Sequence, residues 1–222
     1  MLIENITVTV EKKNIKNMYI RIQPPDGNVK VSAPLFVSDA EIIAFVKSKR
    51  DWILKKQKYI LENDIKAPQK YVNGEKHPLW GKEYVLQLIS NHNVKHVLVN
   101  ENTIYLPVPQ RSTIEKRKKI LDEFYREELK RAIPEVLDKC SNIVGRTPKS
   151  INVRKMKNWG NCKQDGRITL NLNLAKKDKE CLEYVMIHEL CHLIEFNHGK
   201  NFKKLMDKFC PDWKIIKKRL NE

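Results

Sequence analysis

The sequence predicts an α+β protein, with a β-rich N-terminal part followed by an α+β domain organised on long helices. Three observations carry this. Apolar and polar residues alternate with period two through much of the first 110 residues. From Ser112 apolar residues instead recur at helical spacing, from Ile120 through Phe124, Leu129 and Val136 to Ile143. Two further alternating segments, Ser150–Arg154 and Arg167–Leu172, then precede another helical stretch.

In chain order, Ile6–Val10 and Met18–Ile22 read as strands. Pro24-Pro25-Asp26-Gly27 is a turn, and Val29–Val31 returns as a strand. Ser38 and Asp39 start one helix, whose apolar positions Ile42, Val46, Ile53 and others continue to about Ile60. Tyr71-Val72, Tyr84–Leu88, Val94–Val99 and Ile104–Leu106 form a second β-rich stretch, with a turn at Asn73-Gly74. Pro107 and Pro109 mark a break, so the expected division is a β-rich part over 1–110 with one helix and a second domain over 111–222. Gly145 stops the long helix, which Pro134 is placed to kink. Asp178 is the expected N-cap of a helix over Lys179–Phe196. A last helical region carries Phe202, Leu205, Met206 and Phe209, and Pro211 interrupts it before Trp213 and Ile216.

The N-terminus lacks the basic and apolar blocks of a signal peptide, and no stretch is apolar enough to span a bilayer. Cys140, Cys162, Cys181, Cys191 and Cys210 are odd in number and include no C-x-x-C. Reduced, mostly buried thiols in a cytoplasmic protein are the expectation. The net charge of +16 suits polyanions, nucleic acid among them, but the lysines are dispersed and no nucleic-acid motif accompanies them. A solvated lysine-rich surface is the competing reading.

The chemistry concentrates in His188-Glu189-Leu190-Cys191-His192. Histidines four apart on a helix share a face and can reach one zinc ion, and the carboxylate after the first is placed to act as general base toward water at the metal. A catalytic zinc needs a third ligand and an open position. Glu195 and His198 are the candidates. On a straight helix Glu195 would lie roughly 10 Å along from His188. His198 follows the helix-stopping Asn197, where the chain can turn back, and is preferred. His77, His92 and His96 are expected at the surface or in turns.

These residues, with Asn197-His198-Gly199, Phe202, the upstream run from Arg154 to Cys162 and Ile168-Thr169-Leu170-Asn171, resemble the YgjP-like metallopeptidase family, a relative of the SprT and WLM zinc-peptidase groups. Trp52 is a further echo, and the likeness spans nearly the whole chain. Asn161 and Gly199 stand where the family usually has Ser. The resemblance implies His188, His192 and His198 as zinc ligands, Glu189 as the catalytic base, and a zincin (gluzincin-like) domain in which a strand beside the active-site helix pairs with extended substrate. Ile168–Leu172 is the expected strand. Trp159, as a cleft wall, and Asn171 and Arg154 are the expected substrate contacts. A zinc-dependent metallopeptidase is the leading expectation. The family's association with nucleoside triphosphate (UTP) pyrophosphatase activity supplies a second, which Arg154, Lys155 and Lys157 beside Trp159 suit. A DNA-associated protease or basic nucleic-acid-binding protein, by likeness to SprT, is the third.

Overall fold

The computed structural model describes residues 1–62, 68–90 and 95–221. It divides into two compact units, Met1–Gln69 and Lys70–Glu222.

The first unit is a four-stranded sheet with two helices. Strands β1 (Leu2–Ile3), β2 (Ile6–Lys13), β3 (Tyr19–Gln23) and β4 (Asn28–Pro34) lie in the order β1-β2-β4-β3. β2 and β4 are parallel, and β3 runs antiparallel to β4. Alternation places Ile6, Val8, Val29 and Val31 on one face. Ile42 and Val46 of α1 (Asp39–Ser48) and Ile53 of α2 (Arg50–Glu62) join the same core. Ser38 and Glu41 form a reciprocal capping box that fixes the start of α1. The single helix expected here is two. Lys49 leaves helical geometry, and its N–H bonds back to Val46 O at 3.1 Å, so the apolar stripe continues across a break that periodicity does not register.

The second unit opens with a sheet of the same order and sense. β5 (Lys76–Leu79), β6 (Lys82–Ile89), β7 (Leu98–Asn100) and β8 (Thr103–Pro107) lie as β5-β6-β8-β7, with β6 and β8 parallel. Val94, placed in a strand by its sequence, lies outside the described residues. The long helix α3 spans Ile114–Val144 without interruption at Pro134, is capped by Thr113 and ends at left-handed Gly145 (φ 70°). β9 (Ser150–Arg154), β10 (Gly160–Cys162) and β11 (Arg167–Asn171) form a three-stranded sheet in the order β10-β11-β9. A 3₁₀ turn over Leu172–Lys176 leads to α4 (Lys179–Cys191), α5 (Lys200–Phe209) and α6 (Trp213–Asn221).

The boundary expected near Gln110 lies inside this unit. Leu79, Leu86, Ile104 and Leu106 share one core with Leu121 and Tyr125 of α3 and with α4. The Tyr125 hydroxyl donates to Pro78 O at 2.7 Å, Trp80 Nε1 donates to Glu128 at 3.3 Å, and Trp80 N donates to Ala175 O at 2.8 Å. Pro107 does not end a domain. It pairs with Ile89, and Val108 N donates to Ile89 O at 2.9 Å. Among the described residues no helix is long and apolar enough to cross a membrane. All five cysteines are free, four of them buried.

Because Leu106 is fully buried in the shared core, Leu106→Ala should destabilise the second unit as a whole by about 2–5 kcal/mol. Three of the four tryptophans, Trp80, Trp159 and Trp213, belong to that unit. Denaturant unfolding followed by tryptophan fluorescence should therefore move to a lower midpoint as one transition.

Candidate metal centre and active-site cleft

Helix α4 is apolar almost all round. Leu182, Val185, Met186, Ile187 and Leu190 are buried, so the helix runs through the core and is not laid on its surface. Asp178 occupies the N-cap position, but its side chain makes no capping bond. Near its C-terminus α4 carries His188 and Glu189, and His192 is its C-cap. The helix ends at Cys191, short of the expected Phe196. Tight turns follow, with Leu193 N bonding to Leu190 O and Glu195 N to Cys191 O. His192 Nδ1 lies 3.3 Å from Glu195 O, and Gly199 N bonds to Asn197 O. This reversal returns His198 to the helix end.

The structure brings His188, His192 and His198 together, with one nitrogen of each within 4.8 Å of the others. His188 Nε2 and His198 Nε2 are 3.1 Å apart. Glu195 is not part of the cluster, and its carboxylate accepts from Asn197 N. Phe202, at the start of α5, is 3% exposed and contacts all three imidazoles, with ring centroids 4.6–4.9 Å away. It forms an apolar floor for the cluster. Burial, then the neighbouring imidazoles and the Lys217 charge, push His188 down to about 3. A neutral ring is the form that offers a lone pair to a metal.

Glu189 lies beside the triad and is 3% exposed. Desolvation raises its pKa to about 8, partly offset by a backbone hydrogen bond from Cys162. Its Oε2 is buried without a hydrogen-bond partner among the described residues. Strand β10 passes directly over it. A Cβ built on Gly160 would lie 2.3 Å from Glu189 Oε1, so glycine alone allows this approach.

A cleft of about 730 Å³ opens over these groups. Its walls include Trp159, Gly160, Asn161 and Cys162 on one side and Lys217, Leu220 and Asn221 of α6 on another. Trp159 is thus the expected wall, tied to α6 by a hydrogen bond from Nε1 to Asn221 Oδ1 at 3.1 Å. Asn171 is not in the cleft. It is 3% exposed, donates to Met156 O and Asn158 O, and accepts from Asn173 N, so its amide is used up in holding the 156–158 loop. Arg154, at the end of β9, is exposed and does not line the cavity.

The expected substrate-pairing strand also differs. β11 is central, flanked by β10 and β9, and has no free edge. β10 is the edge strand beside α4. Three residues including a glycine give no alternation, so nothing in the sequence marks it as a strand. Of the other histidines, His77 is buried in β5 against Tyr71 and close to Glu75, contrary to a surface position. His96 is exposed, and His92 lies outside the described residues.

The three convergent imidazoles could hold a metal ion, and a buried carboxylate lies beside them at the floor of a cleft. The model of the YgjP-like, metallopeptidase domain family matches residues 16–222, and the chain belongs to that family. Among solved structures it is similar to the metallopeptidase zymogen of Pyrococcus abyssi abylysin. The identity is 25%, over 40% of this chain and 90% of that one, with a TM-score of 0.37. Comparison with curated proteins returned no match.

Gly160→Ala should force Glu189 aside or β10 off α4. A lower melting temperature, equivalent to about 1–3 kcal/mol, is expected, whereas Gly74→Ala meets no neighbouring atom and strains only its own backbone (φ 83°). Differential scanning calorimetry of the two variants measures the difference.

Proposed function

We propose that this chain is a zinc-dependent metallopeptidase of zincin (gluzincin-like) form, with His188, His192 and His198 as ligands and Glu189 as general base. The observation that carries this reading is the cluster of three imidazole nitrogens beside the buried carboxylate. The donors suit the ion. Three imidazole nitrogens leave a coordination position free, and two facing ring nitrogens 3.1 Å apart need a proton or a cation between them. Bound zinc supplies Lewis acidity, which polarises a scissile carbonyl and lowers the pKa of water.

The protein's own groups do the rest. Glu189 takes a proton from the attacking water at its unpartnered Oε2 and delivers it to the leaving amine nitrogen. Its desolvated setting supports this, because a carboxylate with a raised pKa releases and regains a proton near neutrality. The edge of β10 that faces away from β11 supports pairing with an extended peptide laid along the cleft. Phe202 and the core face of α4 hold the imidazoles in place.

A second reading rests on one observation: Trp159 lines the same cleft as Lys157, a stacking surface beside a cation that suits a nucleoside triphosphate. The all-imidazole donor set favours the peptidase, since phosphoryl chemistry more often uses Mg²⁺ with carboxylates.

Metal analysis after dialysis should find about one zinc per chain, and His192→Ala or His198→Ala should lower the zinc affinity at least tenfold. Glu189→Gln should keep the zinc and lose at least about a hundredfold in peptide hydrolysis. A casein-derived peptide set beside a nucleotide panel separates the two readings. Pyrophosphate release that disappears in Glu189→Gln, with no peptide cut, would replace the peptidase by the nucleotide hydrolase.

A further inference from the structure

The cleft carries a charge asymmetry that hydrolysis itself does not need. Glu189, at its floor, is the one carboxylate among the described lining residues, whereas Lys157 and Lys217 both line the walls. Neither lysine takes part in an ion pair among the described residues, although many other surface lysines do, such as Lys139 with Glu183 and Lys155 with Asp122. Lys177 adds a third cation, 5.8 Å from the Trp159 ring centroid.

Both wall lysines sit on segments fixed by other contacts. Ile216 and Leu220 bury one face of α6, which leaves Lys217 and Asn221, four residues apart, together on the face toward the cleft. Asn221 accepts from Trp159 Nε1 and donates to Lys217 O at 2.7 Å, and Arg219 pairs with Glu180 of α4. The Lys217 charge reaches the His188 ring. On the other wall, buried Asn171 holds the carbonyls of Met156 and Asn158 at 2.8 and 3.0 Å, fixing the loop that presents Lys157. Two unpaired ammonium groups are therefore displayed from walls that meet at the Trp159–Asn221 hydrogen bond.

We propose that Lys157 and Lys217 form a cationic subsite that selects peptides carrying an acidic side chain next to the bond cleaved. The inference rests on the metallopeptidase reading for the cleavage, but not for the binding. A carboxylate entering the cleft meets two cations that break no ion pair among the described residues on engaging it; Lys217 gives up only a contact with the Trp213 ring, 5.8 Å from its centroid. A basic side chain meets repulsion, and a neutral one gains nothing.

The test uses the full chain, UTP as a separate probe, and three otherwise uncharged peptide series, labelled with a neutral fluorophore, in which Glu, its isostere Gln or Lys is moved along the sequence. Binding to metal-free protein is followed by anisotropy at low and high salt, and cleavage by zinc-loaded protein is followed separately. The best Glu peptide should bind about three- to tenfold more tightly than its Gln partner, and salt should erode the difference. Lys157→Gln and Lys217→Gln should each reduce that ratio, Lys217→Arg should keep it, and Lys217→Glu should invert it toward Lys-containing peptides. A purely structural role for Lys217 would not produce the inversion. Equal affinity for Glu and Gln peptides, or a preference untouched in both Gln variants, overturns the subsite. Cleavage with no acidic preference overturns it too and leaves the metallopeptidase standing. Lysine-dependent binding of Glu peptides without cleavage of any peptide upholds the subsite and removes the peptidase. Tight binding of UTP with no discrimination between peptides assigns the cations to nucleotide and overturns the proposal.

Discussion

Everything at the site depends on holding one carboxylate away from bulk water next to three convergent imidazoles. A buried charge without a full set of partners is among the most costly features a fold can retain. Glu189 has one oxygen with no hydrogen-bond partner and little solvent contact. Its raised pKa is the same fact stated as an equilibrium: desolvation disfavours the ionised form. A fold keeps such a group when the surrounding packing leaves it no alternative position, and here that packing comes from elements distant in sequence.

Helix α4 supplies the position by being buried on nearly every side, so that it cannot rotate to expose Glu189 without exposing Val185 or Met186. β10 supplies the lid. Its Gly160 lets backbone come within the space a methyl group would fill, and that contact covers one side of the carboxylate. α5 supplies the floor through Phe202. The same close packing that desolvates Glu189 keeps His188 neutral, so the two neighbours are shifted by one cause, burial, acting in opposite directions on a carboxyl and an imidazole.

The histidine cluster was legible in the sequence because it is local. His188 and His192 are one helical turn apart, and Asn197-His198-Gly199 announces a chain reversal close behind. The long helix α3 and most strands were legible for the same reason, since each is written in a run of alternating or helical spacing. What was not legible is tertiary. Asn171 and a substrate-binding asparagine look alike in sequence, and only burial shows that its amide is spent on Met156 and Asn158. Phe202 reads as an ordinary core residue until three rings are found against it. Pro107 and Pro109 suggested a boundary, but a proline that ends a strand and one that separates domains leave the same mark. The shared core of Leu106 and Tyr125 decides between them.

The net charge of +16 illustrates why total charge is a weak guide to function. Most of the basic side chains are lysines, and those engaged with nearby acids form exposed pairs that contribute little individually. Removing such a pair leaves the total unchanged and alters no site. A cation acquires specificity when three conditions coincide: no carboxylate pairs with it, its backbone is held in place, and it lines a cavity. Lys217 meets all three because α6 is fixed on one side by Ile216 and Leu220 and on the other by Trp159. The placement of that charge, and not the excess of lysine, is what distinguishes a recognition surface from a composition.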